Sequence, residues 1–382
     1  MRAALADLES ADLLRRPAVI ESACGARVTV GGREVVCLCG NDYLGLAGDP
    51  AVREAAIQAV RKWGVGAGAS RLVSGTTSLH AELEGRLGLF KGTEAAIVTP
   101  TGWMANLVAI HALAGKGDLI LCDKLDHASI LDAALSSGAA VRTFAHRDVD
   151  RLEALLGRLR SRHRRCLIVT DSLFSMDGDL APLGKLVETK ERFDAQLLID
   201  EAHATGVLGA GGRGAAELLG VEARIDATVG TLSKAVGALG GFVAGPGVLI
   251  ETIRNTGRAF IFTTALPPAL CAAALKALEI IETQPQRRRR VLELAEGLRA
   301  DLHAGGLSTL DSTAQIIPVV IARAGEALRF SRQLLEAGFL VPAIRPPTVP
   351  RGASRLRVSL CAAHQASDLE RFVAALAEAA RG

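Results

Sequence analysis

Short apolar segments alternate with helical segments through the middle of the chain, and this alternation limits the possible folds more than any other feature. The apolar segments lie at residues 94–99, 119–122, 140–144, 166–170, 195–199 and 224–229. Each has the length of a buried strand, and each interval is long enough to hold a helical crossover. The pattern predicts an α/β fold in which a mostly parallel sheet carries helices on both faces.

Two ionisable residues follow neighbouring strands of this pattern. Asp200 comes directly after the strand at 195–199, and Lys234 lies among glycines and hydroxyls in the stretch 230–241. An amine in such a place can form a Schiff base with an aldehyde cofactor, and a carboxylate at a strand end can keep a pyridine nitrogen protonated. This order predicts a pyridoxal 5'-phosphate enzyme of the aspartate aminotransferase fold. The competing interpretation is a single buried ion pair.

The chain on either side of this region predicts a second structural part. A helix at 1–16 and a hairpin at 27–37 come first, and after Pro267-Pro268 the pattern changes to long helices and a few strands. Ser78 is the expected N-cap of a helix, without a capping box. We expect an N-terminal helix and hairpin at 1–45 that pack with the small domain, a large cofactor-binding domain at 46–280, and a small α+β domain at 281–382.

Composition excludes several classes of function. Lys and Arg total 44 against 41 for Asp and Glu, which gives a net charge of only +3. The overall charge therefore does not indicate binding to nucleic acid or to an anionic membrane. No apolar run is long enough to span a bilayer, and the N-terminus lacks the apolar core of a signal peptide. The seven scattered cysteines are expected to be reduced thiols in a cytoplasmic protein.

A nucleotide- or nucleic-acid-binding protein is the alternative from another class. The glycine-rich segment 64–70 and the arginine runs at 158–165 and 287–290 would carry it. However, no strand leads directly into 64–70, and the arginine runs lack the aromatic residues that stack on bases. No metal is expected either, because six histidines have no spacing typical of a metal site: His80, His111, His146, His163, His303 and His364.

Seven motifs occur in an order that is similar to one known family. They lie at residues 41–45, 101–106, 127–129, 174–179, 200–206, 230–237 and 345–350. Together they resemble the α-oxoamine synthases, and the likeness runs from about Arg15 to the C-terminus. The loop at 345–350 is most similar to the biotin-pathway branch of that family. The resemblance implies the pyridoxal-phosphate-dependent transferase fold of type I, with a seven-stranded large-domain sheet.

The resemblance also implies residue roles. Lys234 would hold the cofactor and then act as the base, Asp200 would pair with the pyridinium nitrogen, and His127 would stack on the ring and contact substrate. Cofactor contacts are implied for Gly102, Trp103, Ser175, His203, Thr231 and, from the partner subunit of a homodimer, Thr264. Substrate contacts are implied for Arg15, Asn41, Thr348 and Arg357. From the residues alone, Arg15 is equally well a charge at a helix C-terminus, and Arg357 equally well faces solvent.

The implied reaction condenses L-alanine with a pimeloyl thioester, carried by CoA or by an acyl carrier protein. The alternatives keep the chemistry and change the substrates: glycine with acetyl-CoA or succinyl-CoA, or serine with a long acyl-CoA. Two positions depart from the family pattern. Asp126 is expected to add negative charge beside His127, and Trp103 occupies a place often held by Phe or Tyr.

Overall fold

A computed structural model describes residues 1–381. The chain divides into two units. The first contains Met1–Gly48, Ser175–Asp179 and the chain from Gln286 onward; the second contains Asp49–Phe174 and Leu180–Pro285.

The strands are short, as the apolar segments predict. Their bounds are β1 (Arg27–Val30), β2 (Arg33–Cys37), β3 (Ala95–Thr99), β4 (Leu119–Asp123), β5 (Ala140–Phe144), β6 (Cys166–Asp171), β7 (Gln196–Asp200), β8 (Ala227–Thr231), β9 (Gly241–Gly245), β10 (Ile316–Ala322), β11 (Phe339–Leu340), β12 (Ala343–Ile344) and β13 (Ser354–Ser359).

The helices fill the intervals between the strands. Their bounds are α1 (Arg2–Ser10), α2 (Pro50–Trp63), α3 (Ser78–Lys91), α4 (Gly102–Leu113), α5 (Ala128–Ser136), α6 (Val149–Leu159), α7 (Leu183–Arg192), α8 (Ala215–Leu218), α9 (Gly247–Thr256), α10 (Arg258–Ile261), α11 (Pro268–Thr283), α12 (Gln286–Ala304), α13 (Ala324–Glu336) and α14 (Ala366–Arg381).

The second unit is built on a seven-stranded sheet with the order β3-β9-β8-β7-β6-β4-β5. Only β9 runs antiparallel to its two neighbours in this sheet. Its core packs one face of the sheet against α4, α5 and α9, through side chains such as Ile97, Val108, Ile130, Val169 and Ile253. The predicted mostly parallel α/β sheet is confirmed.

The first unit contains two small sheets, with the orders β1-β2-β11 and β10-β13-β12. The hairpin of β1 and β2 has the predicted bounds. Phe339 of β11 and Phe372 of α14 meet edge to face, with ring centroids 5.6 Å apart, in the apolar interior of this unit.

Two local predictions at helix ends are wrong. The first helix ends at Ser10 rather than near residue 16, so Arg15 is not a helix C-terminal charge. The N-cap of α3 is Thr77 rather than Ser78, and a capping box is present. His80 Nδ1 accepts a hydrogen bond of 3.2 Å from the Thr77 backbone N–H, which is the reciprocal contact that Glu or Gln usually makes.

Candidate active site

The carboxyl ends of four neighbouring strands bring polar residues to one edge of the large sheet. β4 ends at Asp123, β6 at Asp171, β7 at Asp200 and β8 at Thr231. In the sheet, Asp171 lies beside Asp200. Lys234 follows β8 by three residues, so it starts from the same edge. This edge is where sheets of this kind bind ligands.

Lys234 has one well-placed polar neighbour. Its Nζ lies 2.8 Å from Nε2 of His203, a buried imidazole. The lysine itself is half-buried. Because a charged ammonium has only donors, His203 Nε2 accepts this hydrogen bond when Lys234 is protonated. The contact fixes the position of an amine that is still reachable from outside.

Asp200 is buried and held by two donors. Its Oδ1 accepts a hydrogen bond of 2.7 Å from the Ala202 backbone N–H, and its Oδ2 accepts one of 2.7 Å from Nδ2 of Asn106. The same Asn106 amide donates to Ser129 Oγ at 2.9 Å. Ser129 Oγ in turn lies 2.8 Å from Nδ1 of His127. A continuous hydrogen-bonded chain therefore joins Asp200 to His127.

Asn106 and Ser129 are functional candidates that carried no predicted role. Asn106 is 1% exposed and lies on α4 beside the buried Ala105 and Val108. A polar amide on the apolar side of a helix is unusual, because it must find buried partners. That pattern was the available signal in the sequence.

His127 stands at the N-terminus of α5 with an exposed side chain. Its backbone N–H donates to Asp171 Oδ2 at 2.7 Å. Its ring meets that of Trp103 edge to face at 5.9 Å between centroids. Partial desolvation lowers the pKa of His127; the Asp200 carboxylate opposes this effect and Lys234 adds to it. The ring is therefore oriented, uncharged at neutral pH and open to a ligand.

Asp126 has a structural role beside His127. Its carboxylate accepts two backbone hydrogen bonds of 2.8 Å, from the N–H groups of Asp123 and Asp171. It thus ties the ends of β4 and β6 together next to His127. Burial raises the pKa of Asp126 well above its usual range, and the neighbouring Asp171 adds to this effect. A proton on this carboxyl group would remove the negative charge that the sequence suggested.

The N-terminus of α4 offers backbone donors beside the end of β8. Thr101 caps the helix by accepting a hydrogen bond from Met104 N–H. A Cβ added to Gly102 would lie 3.4 Å from Thr231 Oγ1, so the two residues are close neighbours. Thr231 Oγ1 is also 2.7 Å from Ser233 Oγ. Free N–H groups and hydroxyls of this kind suit a phosphate.

Thr264 lies elsewhere in the second unit. It is exposed and forms an isolated antiparallel bridge with Ser70, which belongs to the glycine-rich 64–71 region. Its expected contact with a partner subunit's cofactor stays a prediction.

In the first unit, Arg357 contacts two other residues with predicted roles, Ser175 and Asn41. Arg357 is only 6% exposed, so the solvent-facing interpretation is wrong. Its Nε donates to the backbone oxygen of Ser175 at 2.6 Å, and its Nη2 donates to Oδ1 of Asn41 at 3.3 Å. Tyr43 donates to the same Asn41 oxygen at 3.0 Å.

A second contact in this unit joins Arg15 to the predicted loop. Arg15 Nη2 donates to the Pro346 backbone oxygen at 3.1 Å and lies 3.4 Å from Thr348 Oγ1. Both Arg15 and its surroundings are exposed at the surface of this unit. The structure therefore places Arg15 and Thr348 side by side.

The residues of the second unit fit pyridoxal phosphate. A reachable amine, a buried carboxylate held by Asn106, an oriented imidazole and a helix N-terminus lie at one strand edge, and each matches one part of that cofactor. The Oδ1 atom of Asn106 is buried, and among residues 1–381 it has no hydrogen-bond partner. No cluster of metal-binding side chains was found in the same residues.

Comparison with known proteins identifies the class. Residues 33–376 match the family described as aminotransferase class I and II. The chain therefore belongs to the class I and II aminotransferase family.

Individual relatives narrow this class. An 8-amino-7-oxononanoate synthase of Geobacter sulfurreducens is 49% identical over 375 residues, covering 98% of this chain and 96% of the relative. A serine palmitoyltransferase from S. paucimobilis with bound PLP has a TM-score of 0.95 at 35% identity, covering 100% of this chain and 96% of the other. An 8-amino-7-oxononanoate synthase from Francisella tularensis has a TM-score of 0.78 at 27% identity, covering 91% and 98%. The predicted membership of the α-oxoamine synthases and the type I fold are confirmed.

Proposed function

We propose that this chain condenses L-alanine with a pimeloyl thioester to give 8-amino-7-oxononanoate, CO₂ and a free thiol, in biotin biosynthesis. The observation that carries the proposal is the meeting of Lys234 and the Asn106-bound Asp200 at one edge of the large sheet. Full-length likeness to relatives named 8-amino-7-oxononanoate synthase selects this reaction among those the site supports.

The residues of the second unit divide the work at the cofactor. When bound, pyridoxal phosphate supplies a ring that withdraws electrons from the α-carbon of the amino acid. Asp200 holds a proton at the pyridine nitrogen, and Asn106 keeps its carboxylate in place. When the cofactor is bound, His127 would stack on its ring and His203 would contact its phenolic oxygen. Gly102, Trp103, Thr231 and, from a second copy, the exposed Thr264 complete the proposed cofactor contacts of this unit. The contact of Ser175, which belongs to the first unit, stays a prediction.

Lys234 acts as the base. Its Nζ takes the α-proton of the amino acid and later returns one to the product. His203 lies 2.8 Å from this nitrogen, so the amine is held in position before the reaction starts. Such positioning removes much of the entropic part of the barrier.

Arg15, Asn41, Thr348 and Arg357 are proposed to contact the substrates. Burial of the Arg357 guanidinium favours a specific role over a surface charge, because an arginine is almost never buried without paired groups. Its donors suit a carboxylate or a carbonyl oxygen.

We also propose that the protein is a cytoplasmic homodimer. All seven cysteines lie within the described residues and carry free thiols, which suits a reducing compartment. In residues 1–381, no helix has the length and apolar character needed to cross a bilayer.

A second candidate keeps the chemistry and uses serine with a long acyl thioester. It is favoured by the backbone likeness to serine palmitoyltransferase, whose TM-score of 0.95 exceeds the 0.78 of the Francisella synthase.

A substrate panel separates the two candidates. Purified holoenzyme is incubated with alanine, glycine or serine and with pimeloyl, acetyl, succinyl or palmitoyl thioesters, on CoA and on acyl carrier protein, and released thiol is measured. Highest kcat/KM with alanine and a pimeloyl thioester supports the proposal. Preference for serine with palmitoyl-CoA, or for glycine, contradicts it.

A further inference from the structure

Two thiols lie against each other at the end of strand β2. Cys37 is the last residue of β2, and its Sγ is 3.8 Å from Sγ of Cys39. Both residues are half-buried rather than sealed in the core. A disulfide needs its sulfur atoms about 2.05 Å apart, so these two require an approach of about 2 Å.

The environment makes one of these thiols the better nucleophile. The two sulfur atoms share a hydrogen bond in which either can be the donor. This bond lowers the pKa of the Cys37 thiol, and the same bond together with burial raises the pKa of the Cys39 thiol. The nearby Cys24 is exposed, yet burial of its sulfur, the Asp42 carboxylate and the Cys37 thiol all raise its pKa. Because the thiolate is the attacking species, Cys37 should react before Cys24.

The backbone around this pair leads directly to Asn41. The Leu38 oxygen accepts a hydrogen bond of 2.8 Å from Ser359 N–H, and the Gly40 oxygen accepts one of 2.8 Å from Ser359 Oγ. The next residue, Asn41, accepts the hydrogen bond from Arg357. A disulfide between Cys37 and Cys39 would have to move the backbone between them, next to the oxygens that Ser359 contacts and one residue before Asn41.

We propose that Cys37 and Cys39 form a reversible dithiol–disulfide switch, oxidised by small-molecule disulfides such as glutathione disulfide, that controls the position of Asn41. The Cys37 thiolate attacks one sulfur of glutathione disulfide, which forms a mixed disulfide and releases one glutathione thiolate. The Cys39 thiol then loses its proton and attacks the Cys37 sulfur, which releases the second glutathione. Two protein thiols are oxidised and one disulfide is reduced to two thiols, so electrons and protons balance.

The test uses the complete holoenzyme and glutathione disulfide. Peptide mapping by mass spectrometry should find a Cys37–Cys39 link, with the mass of two hydrogen atoms lost, and dithiothreitol should reverse it. The link should persist in Cys24→Ser and be absent in Cys37→Ser and Cys39→Ser. Glutathione attached to Cys24, a link through Cys24, or no oxidation would each overturn the proposal.

The effect on Asn41 is tested in two ways. Backbone hydrogen exchange at Ser359, whose N–H donates to the Leu38 oxygen, should increase on oxidation and return with dithiothreitol; unchanged exchange would overturn the switch. A second measurement rests on the proposed function. In the oxidised enzyme the KM for the amino acid should rise about tenfold, which corresponds to the loss of one hydrogen bond to a charged group. An unchanged KM in the oxidised enzyme would also overturn it. If the reduced enzyme shows no turnover, the proposed function has failed, and the exchange measurement still decides the switch.

Discussion

The hydrogen bond from Asn106 to Asp200 offers a sharp test of how this site is held. Asn106→Leu keeps a similar volume and removes both bonds of the amide, to Asp200 at 2.7 Å and to Ser129 at 2.9 Å. The bond to a carboxylate is worth about 1.5–3 kcal/mol and the neutral bond about 0.5–1.5 kcal/mol.

A compensating gain comes from the other side of the amide. Asn106 Oδ1 is buried, with no hydrogen-bond partner among residues 1–381. Removing an unsatisfied buried acceptor returns about 1–3 kcal/mol. The two lost bonds together cost about 2–4.5 kcal/mol, so the gain offsets part of the loss, and the free energy of unfolding should fall by about 1 kcal/mol and by no more than about 3.5 kcal/mol.

The offset applies to stability and not to function, because the bond to Asp200 is the one proposed to act directly on the cofactor. We expect kcat/KM to fall about 10- to 100-fold, which corresponds to the loss of that one bond. The pH dependence of the cofactor's visible absorption should also shift, since Asp200 is the residue proposed to hold a proton on the ring nitrogen. Ser129→Ala is the matched control, because it leaves the Asn106–Asp200 bond in place and should leave that spectrum unchanged.

Denaturant unfolding, steady-state kinetics and absorption titrations on both variants complete the assay. A large loss of stability in Asn106→Leu with unchanged kcat/KM would refute the reasoning. An identical spectral shift in Ser129→Ala would show that the effect passes through His127 instead.

Two further predictions concern other parts of the second unit. His80 is fully buried, and burial lowers its pKa to about 4, so between pH 6.5 and 4 the unfolded chain binds more protons than the folded one. The free energy of unfolding should therefore fall by about 3 kcal/mol across that window, and less in His80→Gln, as measured by urea unfolding at several pH values. Gly102→Ala places a Cβ 3.4 Å from Thr231 and should weaken pyridoxal phosphate binding about tenfold in a spectroscopic titration. Gly85→Ala, whose Cβ meets no atom within 4 Å, should bind the cofactor normally, and equal affinity in both variants would contradict the assigned phosphate position.

The sequence predicted the parts of this molecule that depend on periodic patterns. Alternating apolar segments placed the strands within a few residues, and strand ends placed Asp200 and Lys234 correctly at one edge. The strand before Lys234 begins later than predicted. Residues 222–224 form a short helical turn, and β8 begins only at Ala227.

Features that depend on tertiary contacts were less accessible. His80 completes a capping box that Thr77 opens, a role that a pattern search for Glu or Gln misses. Arg357 sits in a strand whose alternation allows an outward side chain, yet its partners Asn41 and Ser175 are far away in sequence and bury it. The domain boundaries at 45 and 280, and the contact of Thr264 with a partner subunit, stay predictions.

The central claim is that the Lys234 amine binds the aldehyde of pyridoxal phosphate. Borohydride reduction of the holoenzyme, followed by digestion and mass spectrometry, tests it most directly. We predict a reduced cofactor adduct on the peptide containing Lys234, and none in Lys234→Ala. An adduct on any other lysine, or no adduct in the unaltered protein, would contradict the account.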